Sequence, residues 1–386
     1  MPISGPITKQ GSIKRQGSAK RRGSCIGGSQ QQTPKEVPWD LFDRLLIPLI
    51  SCHGAAIILS TILNVLHISQ VSTFALFIWF SLSTTGAVMF YHLLKVSASG
   101  KGVLVTGCES PLVWHLARHL DDMGFTVFAG FTHLSESEEA TILKDESSGR
   151  MKVLQLDITS ETQMLEASLF ISENLPDGAR GLWAVLHCAA WVALGEFEWI
   201  PFNVLRKSID VNLLGTARLT QIMLPLVRRA NGRLVFLSSA LAKIPSPVRG
   251  IQSATQAGIE GLATCLREEL RPRGVDVSVV AAGEYVAGTS WLNDKLLMEQ
   301  ASQMWARLSD EQRRVYGKEY FEHAIRSLEK YTKVTVDFTP AIRSLVDATI
   351  RTFPLARYTP VTRSEKLQTI IAQHLPKSIY DTIYHK

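Results

Sequence analysis

The stretch that decides the fold runs from Gly232 to Gly283: GRLVFLSSALAKIPSPVRGIQSATQAGIEGLATCLREELRPRGVDVSVVAAG. Leu234–Leu237 is a short apolar run that ends in Ser238 and Ser239, which predicts a buried strand with a polar carboxyl end. A loop bearing Pro and Ser follows. Apolar residues then recur at helical spacing (Ile259, Leu262, Cys265, Leu266, Leu270), and Val275–Val280 closes the unit as a second buried strand. A polar pair at the carboxyl end of a parallel strand stands where an open α/β sheet holds its ligands.

The same alternation extends upstream. Gly102–Thr106, Phe125–Ala129, Lys152–Leu156 and Leu182–His187 read as strands, with helices predicted over Leu112–Met123 and Phe202–Arg229. Strands that are near-continuous apolar runs, alternating with helices, predict an α/β fold with a doubly wound parallel sheet.

Before the sheet, Leu45 to Leu94 is a run of fifty residues without Asp, Glu, Lys or Arg. One span needs about 20 residues, so the run is long enough for two, with HISQVS at 67–72 as the turn between them. The expected organisation is a basic tail over 1–38, a membrane hairpin over 41–95 and an α/β domain over 98–386, with 284–386 as its substrate-side extension. The tail is low in complexity and is expected to be disordered. It repeats a basic-x-Gly-Ser unit that sets Ser12, Ser18 and Ser24 in register, and Arg15 and Arg21 make Ser18 and Ser24 acceptable to basophilic kinases. Held on the cytoplasmic side, the tail would return the domain to that same side through a two-span hairpin. The expected location is the endoplasmic reticulum membrane, with a mitochondrial membrane as the alternative.

The net charge is +6, yet residues 1–35 hold seven Lys/Arg and no acid, so residues 36–386 carry −1. A near-neutral domain gives nucleic-acid binding no electrostatic support. The five cysteines (25, 52, 108, 188 and 265) lack CxxC or Cys/His ligand spacing, and read as free thiols without a metal site. His187 and Cys188 are neighbours on a predicted strand, so their side chains point to opposite faces and cannot form a dyad.

The central stretch resembles the catalytic segment of the short-chain dehydrogenase/reductase family. That family has a Ser after the fifth strand, a Tyr thirteen residues on and a Lys four beyond it. Here Ser239 matches the Ser, while Gln252 and Gln256 stand at the Tyr and Lys positions. The family's TGxxxGxG turn is here Thr106-Gly107-Cys108-Glu109-Ser110-Pro111-Leu112-Val113, so only the first Gly remains. Its NNAG is here His187-Cys188-Ala189-Ala190, and its helix Asn is matched by Asn212. The second strand ends Phe131-Thr132-His133, with neither an acid for a ribose 2′-hydroxyl nor an Arg for a 2′-phosphate, so NAD versus NADP stays open.

The resemblance extends over residues 98–386. It is nearest to the branch containing 17β-hydroxysteroid dehydrogenase type 2, 11β-hydroxysteroid dehydrogenase type 2, the retinol dehydrogenases and D-β-hydroxybutyrate dehydrogenase, through runs such as DDMGFTVFAG at 121–130 and RYTPVT at 357–362. It implies NAD(P) as cofactor, with Gly107, Ser110, Asp157 and Ala189 as contact positions, and Ser239 and Asn212 as catalytic remnants. In the family the Tyr moves the substrate's proton, the Lys lowers its pKa and holds the nicotinamide ribose, and the Asn holds a relay water. Gln exchanges no proton at neutral pH, and losing general acid–base help costs roughly 10²–10⁴ in rate. Two expectations follow. One is a membrane-anchored pseudoenzyme that binds a lipophilic small molecule or a protein partner. The other is an oxidoreductase acting on a lipophilic alcohol or ketone through rearranged acid–base groups, with Lys243 and Tyr285 in the same loops. Self-association is left open.

Overall fold

The computed structural model describes residues 39–68, 70–283, 294–329 and 337–384. Tyr285 and the three tail serines lie outside these. One parallel sheet runs in the order β3-β2-β1-β4-β5-β6-β7. Its strands are β1 (Gly102–Thr106), β2 (Thr126–Phe131), β3 (Lys152–Gln155), β4 (Leu182–His187), β5 (Arg233–Ser239), β6 (Asp276–Ala282) and β7 (Arg357–Tyr358). The order reverses between β1 and β4, which opens a crevice at their carboxyl ends.

Two helices precede the sheet, α1 (Trp39–Val65) and α2 (Thr73–Leu93). Both are long and apolar enough to cross a membrane. They pack as a hairpin, joined by Ser60 Oγ to Thr73 Oγ1 at 2.7 Å, Cys52 Sγ to Thr84 Oγ1 at 3.2 Å and an edge-to-face His53–Phe77 pair. Small hydroxyl and thiol groups that bond across helices are suited to an apolar medium, where each would otherwise lack a partner.

The connections of the sheet are α3 (Pro111–Asp122), α4 (Glu138–Asp145), α5 (Glu161–Glu173), α6 (Phe202–Ile209), α7 (Thr216–Arg229) and α8 (Gly250–Leu270). Alternate residues of each strand bury on opposite faces. Val103 and Val105 pack on α3, while Leu104 joins the residues of α5, α7 and α8. The predicted single helix over Phe202–Arg229 is interrupted: Asp210–Gly215 forms a π-helical turn between α6 and α7. Such a turn inserts one residue, leaves no periodic signature, and often marks a functional position. Strand bounds shift by one or two residues, with β2 running on to Phe131 and β3 stopping at Gln155.

Beyond β6 come α9 (Asp294–Arg307), α10 (Asp310–Tyr316), α11 (Lys318–Leu328), α12 (Thr339–Ile350), α13 (Arg363–His374) and α14 (Lys377–Tyr384). α12 completes the α3 face of the core through Ala341 and Leu345. α9 and α11 bury Leu297, Met304, Phe321 and Ile325 against Ala193, Leu194 and Ile251, which lie near the carboxyl ends of β4 and β5. Tyr380 of α14 packs on Ala240 and Ile244, just after Ser239. The crevice end of the sheet therefore carries two apolar lids.

Candidate functional site

β1 ends in Thr106, whose hydroxyl ties the crevice together. It accepts from the amides of Cys188 and Ala189 (3.0 and 3.1 Å) and donates to Leu186 O (3.3 Å). Gly107 follows with φ +80°, and a Cβ there would sit 2.7 Å from Ala189 Cα. Both facts require glycine. Gly107 and Ala189 are thus brought together, as the family's turn implies, but they touch each other.

The next residues offer little to a diphosphate. The Cys108 amide donates to Gly130 O (3.0 Å) and the Ser110 amide to Gly107 O (3.1 Å). Pro111 has no amide hydrogen and begins α3, a position that its fixed φ suits. Only from Leu112 onward does α3 bring amides to this end. Val113 is buried in the α3 face of the core. Glu109 lies across the end of β2, where its carboxylate accepts from the Thr132 amide. Burial raises its carboxyl above the usual range, against the pull of the neighbouring amides, and its second oxygen is buried without a hydrogen-bond partner among the described residues. Asp157 is engaged locally, accepting from the Thr159 amide (2.8 Å) and hydroxyl (2.7 Å). Around this turn the residues do not fit a dinucleotide in the family's manner.

The catalytic positions lie on β5, the π-turn and α8. The π-turn carries Asn212 inward, where its Oδ1 accepts from the Trp191 amide (2.7 Å) and its Nδ2 donates to Trp191 O (2.8 Å). Both ends of the amide are held by the loop after β4. The structure does bring Asn212 to Gln252, Nδ2 to Oε1 at 3.4 Å, so the two positions meet. Ser239 Oγ and Gln256 Oε1 are both buried and lack a hydrogen-bond partner among the described residues. Each such group carries a desolvation cost of roughly 1–3 kcal/mol. Buried polar atoms of this kind call for partners that the described residues do not supply.

Lys243 is not poised as a replacement acid. Its Nζ pairs with Glu260 Oε2 at 3.4 Å, and the same carboxylate takes Arg357 and the Ser238 hydroxyl (3.3 Å). His187 and Cys188 diverge as strand geometry requires. The His187 ring stacks on Phe236 with its Nε2 3.1 Å from Thr220 Oγ1, while Cys188 enters the opposite core. Burial holds the imidazole down at about 3 and pushes the thiol up to about 12, so neither is a nucleophile or base near neutral pH.

Residue spacing does not foretell the clamp by Trp191 or the reach of Glu109 to β2, since both partners come from loops. Thr106 is the Thr of the TG pair, but its bonds to the loop after β4 carry no signal in the spacing.

A profile of the short chain dehydrogenase family matches residues 101–295. The D-beta-hydroxybutyrate dehydrogenase, mitochondrial, of Rattus norvegicus is 35% identical over 291 residues, covering 75% of this chain and 84% of that protein. Estradiol 17-beta-dehydrogenase 2 of Mus musculus is 33% identical over 74% of each chain. Retinol dehydrogenase 16 of Mus musculus is 30% identical over 74% of this chain and 88% of that one. Among solved structures, a short-chain dehydrogenase from Streptomyces avermitilis superposes with a TM-score of 0.56 at 19% identity, covering 74% of this chain and 96% of that chain. With its parallel sheet, its crevice and these relatives, the chain belongs to the short-chain dehydrogenase/reductase family, in the branch of hydroxybutyrate, hydroxysteroid and retinol dehydrogenases.

Proposed function

We propose that this protein is a membrane-anchored pseudoenzyme that uses the dehydrogenase fold to bind a lipophilic small molecule or a protein partner. The carrying observation is the pair Gln252 and Gln256 at the Tyr and Lys positions, with Gln252 hydrogen-bonded to Asn212. Neither amide can give or take the proton that accompanies hydride transfer. Neither supplies the cation that lowers a neighbouring pKa. The nucleotide half supports the same reading through Pro111, which withholds an amide, and through Glu109, which engages the end of β2. The relatives' names point to hydroxy acids, steroids and retinoids, and the apolar lids over the crevice are compatible with a lipophilic ligand.

Calorimetric titration of the full chain with NAD(H) and NADP(H), followed by a steroid, retinoid and hydroxybutyrate panel, tests this. The expected outcome is weak or absent nucleotide binding and no turnover. Restoring Gln252→Tyr alone is expected to recover nothing, because the Lys contact and the phosphate contacts are separate deficits. Adding Gln256→Lys and Pro111→Gly gives activity its best chance, since Val113 is part of the core and is left in place. Micromolar NAD(H) affinity with turnover by the unmodified chain would overturn the reading in favour of an oxidoreductase with rearranged acid–base groups.

For topology, the charge-free run and the basic tail support a hairpin with tail and domain on the cytosolic face, the endoplasmic reticulum being the favoured membrane. The mitochondrial address in the name of the rat relative keeps that organelle as the alternative. Protease treatment of intact microsomes is expected to digest both ends. Survival of residues 95–386 while the tail is cut rules out the hairpin.

A further inference from the structure

The end of α2 is not joined to the domain by a loose linker. Val96 N donates to Ile350 O (2.7 Å) and Thr352 N to Leu94 O (2.9 Å), forming an antiparallel latch around the Lys95–Arg351 bridge. Side chains reinforce it. The Arg351 guanidinium contacts the His92 ring (2.9 Å) and pairs with Asp347 (2.7 Å), and Tyr91 meets Phe353 edge to face at 5.5 Å. The latch is in turn fixed to the sheet. Arg233, the first residue of β5 and only 2% exposed, donates to the carbonyls of Ala348 (3.1 Å), Thr349 (3.0 Å) and Arg351 (2.7 Å). Trp183 of β4 donates to Thr349 O as well (3.0 Å).

All these anchoring points lie at the amino edge of the parallel sheet. β1 starts at Gly102, soon after the latch, and β7 starts at Arg357, soon after Phe353. The candidate site lies at the other edge, at the carboxyl ends of β1, β4 and β5. Strands of five to seven residues at about 3.3 Å each separate the two edges by roughly 20 Å.

The chemistry of the amino edge suits a lipid surface. Of the seven Lys/Arg in the segments that meet at the latch, residues 94–101, 228–233 and 350–357, Arg233, Arg351 and Arg357 are paired with Asp276, Asp347 and Glu260, which leaves Lys95, Lys101, Arg228 and Arg229 to give the face its positive charge. Lys95, Arg228 and Arg229 are exposed. Tyr91 and Phe353, 54% and 46% exposed, form an aromatic pair level with the last turn of α2. Aromatic rings with cations beside the end of a span are the ordinary furniture of a membrane interface, and basic residues there are drawn to the anionic cytoplasmic leaflet.

We propose that this amino edge is a fixed docking face for an anionic phospholipid bilayer, so that the candidate site opens away from the membrane and receives its ligand or partner from the aqueous side. The inference rests on α1 and α2 spanning the membrane, as proposed above. It goes further in giving the domain one orientation, and it sets a constraint on function: a lipophilic molecule would not slide in from the bilayer plane but would have to be handed over through water or by a protein.

The test uses the full chain, with Cys25, Cys52 and exposed Cys265 replaced by Ser, in nanodiscs whose lipids include phosphatidylserine and a headgroup-nitroxide lipid. A bimane label is attached either at Asp177→Cys, on the turn leading into β4, or at Glu136→Cys, beyond the carboxyl end of β2; both positions are exposed. Quenching is expected to be at least threefold stronger at 177 than at 136. The double variant Arg351→Ala/Phe353→Ala is expected to stay in the membrane but to lose most of that contrast. Equal quenching, or a stronger effect at 136, overturns the orientation. A contrast unchanged by the double variant overturns the latch as its cause. Sedimentation of the chain away from floated vesicles overturns the anchor itself and this inference with it, whereas flotation with the wrong contrast overturns this inference alone.

Discussion

Gln256→Met is the substitution that asks most directly whether the crevice is waiting for a ligand. Gln256 is 6% exposed, and its Oε1 has no hydrogen-bond partner among the described residues. Met keeps the length and volume of Gln and removes the unpaired carbonyl, so the desolvation cost of roughly 1–3 kcal/mol is relieved. For a domain of this size 1 kcal/mol moves the unfolding midpoint by roughly 2 °C. The variant in detergent is therefore expected to melt about 2–6 °C higher than the parent by scanning fluorimetry. Gln256→Lys is expected to melt lower. An ammonium in that buried position costs free energy unless it is paired, and Glu260, the buried acid one helical turn on, is already held by Lys243 and Arg357. A Met variant that melts more than 2 °C below the parent would refute the reasoning, because it would mean that Oε1 is satisfied and that the site is closed on itself.

Four other outcomes are expected. The His187 imidazole is held down at about 3 in the fold against an ordinary value of 6.5, so the unfolded chain takes up its proton first as pH falls. Stability should fall from pH 6.5 downward by about 1.4 kcal/mol per unit, and His187→Gln should flatten that slope in melts at pH 6.5 and 5. The Glu109 carboxyl is raised, which reverses the sign: its contribution is favourable below 4.5 and is lost as pH rises through its folded value. Glu109→Gln is therefore expected to raise the midpoint at pH 7 more than at pH 4.5. Gly107→Ala combines φ +80° with a Cβ 2.7 Å from Ala189 Cα, and should cost about 2–4 kcal/mol through left-handed strain and a backbone clash, read as a lower midpoint. Iodoacetamide at pH 8 should label exposed Cys265 well before Cys188, whose buried thiol is pushed up to about 12, as followed by peptide mass spectrometry.

The sheet was legible because buried parallel strands are continuous apolar runs, and such runs need no partner to be recognised. β7 was not, since a two-residue strand has no pattern of its own. The site divides in the same way. The family's Ser, Tyr and Lys spacing, carried over by resemblance, finds Ser239, Gln252 and Gln256, because a strand, a loop and a helix fix their order along one segment. The contacts that define what the site has become cross between loops: Glu109 to Thr132 spans 23 residues, Asn212 to Trp191 spans 21, and the latch from His92 to Arg351 spans 259. Sequence distance hides all three.

The replacements differ in how well the fold has absorbed them. Pro111 suits the first turn of α3, and Val113 fills the core; Glu109 is bonded to β2 through one of its two oxygens. On the nucleotide side, then, most of the changed residues are consistent with their surroundings. On the substrate side Ser239 and Gln256 have buried polar atoms that are unpaired among the described residues. Glu109 Oε2 on the nucleotide side is in the same condition among the described residues, and at roughly 1–3 kcal/mol for each such group these three atoms are where the proposed binding role is open to test by substitution.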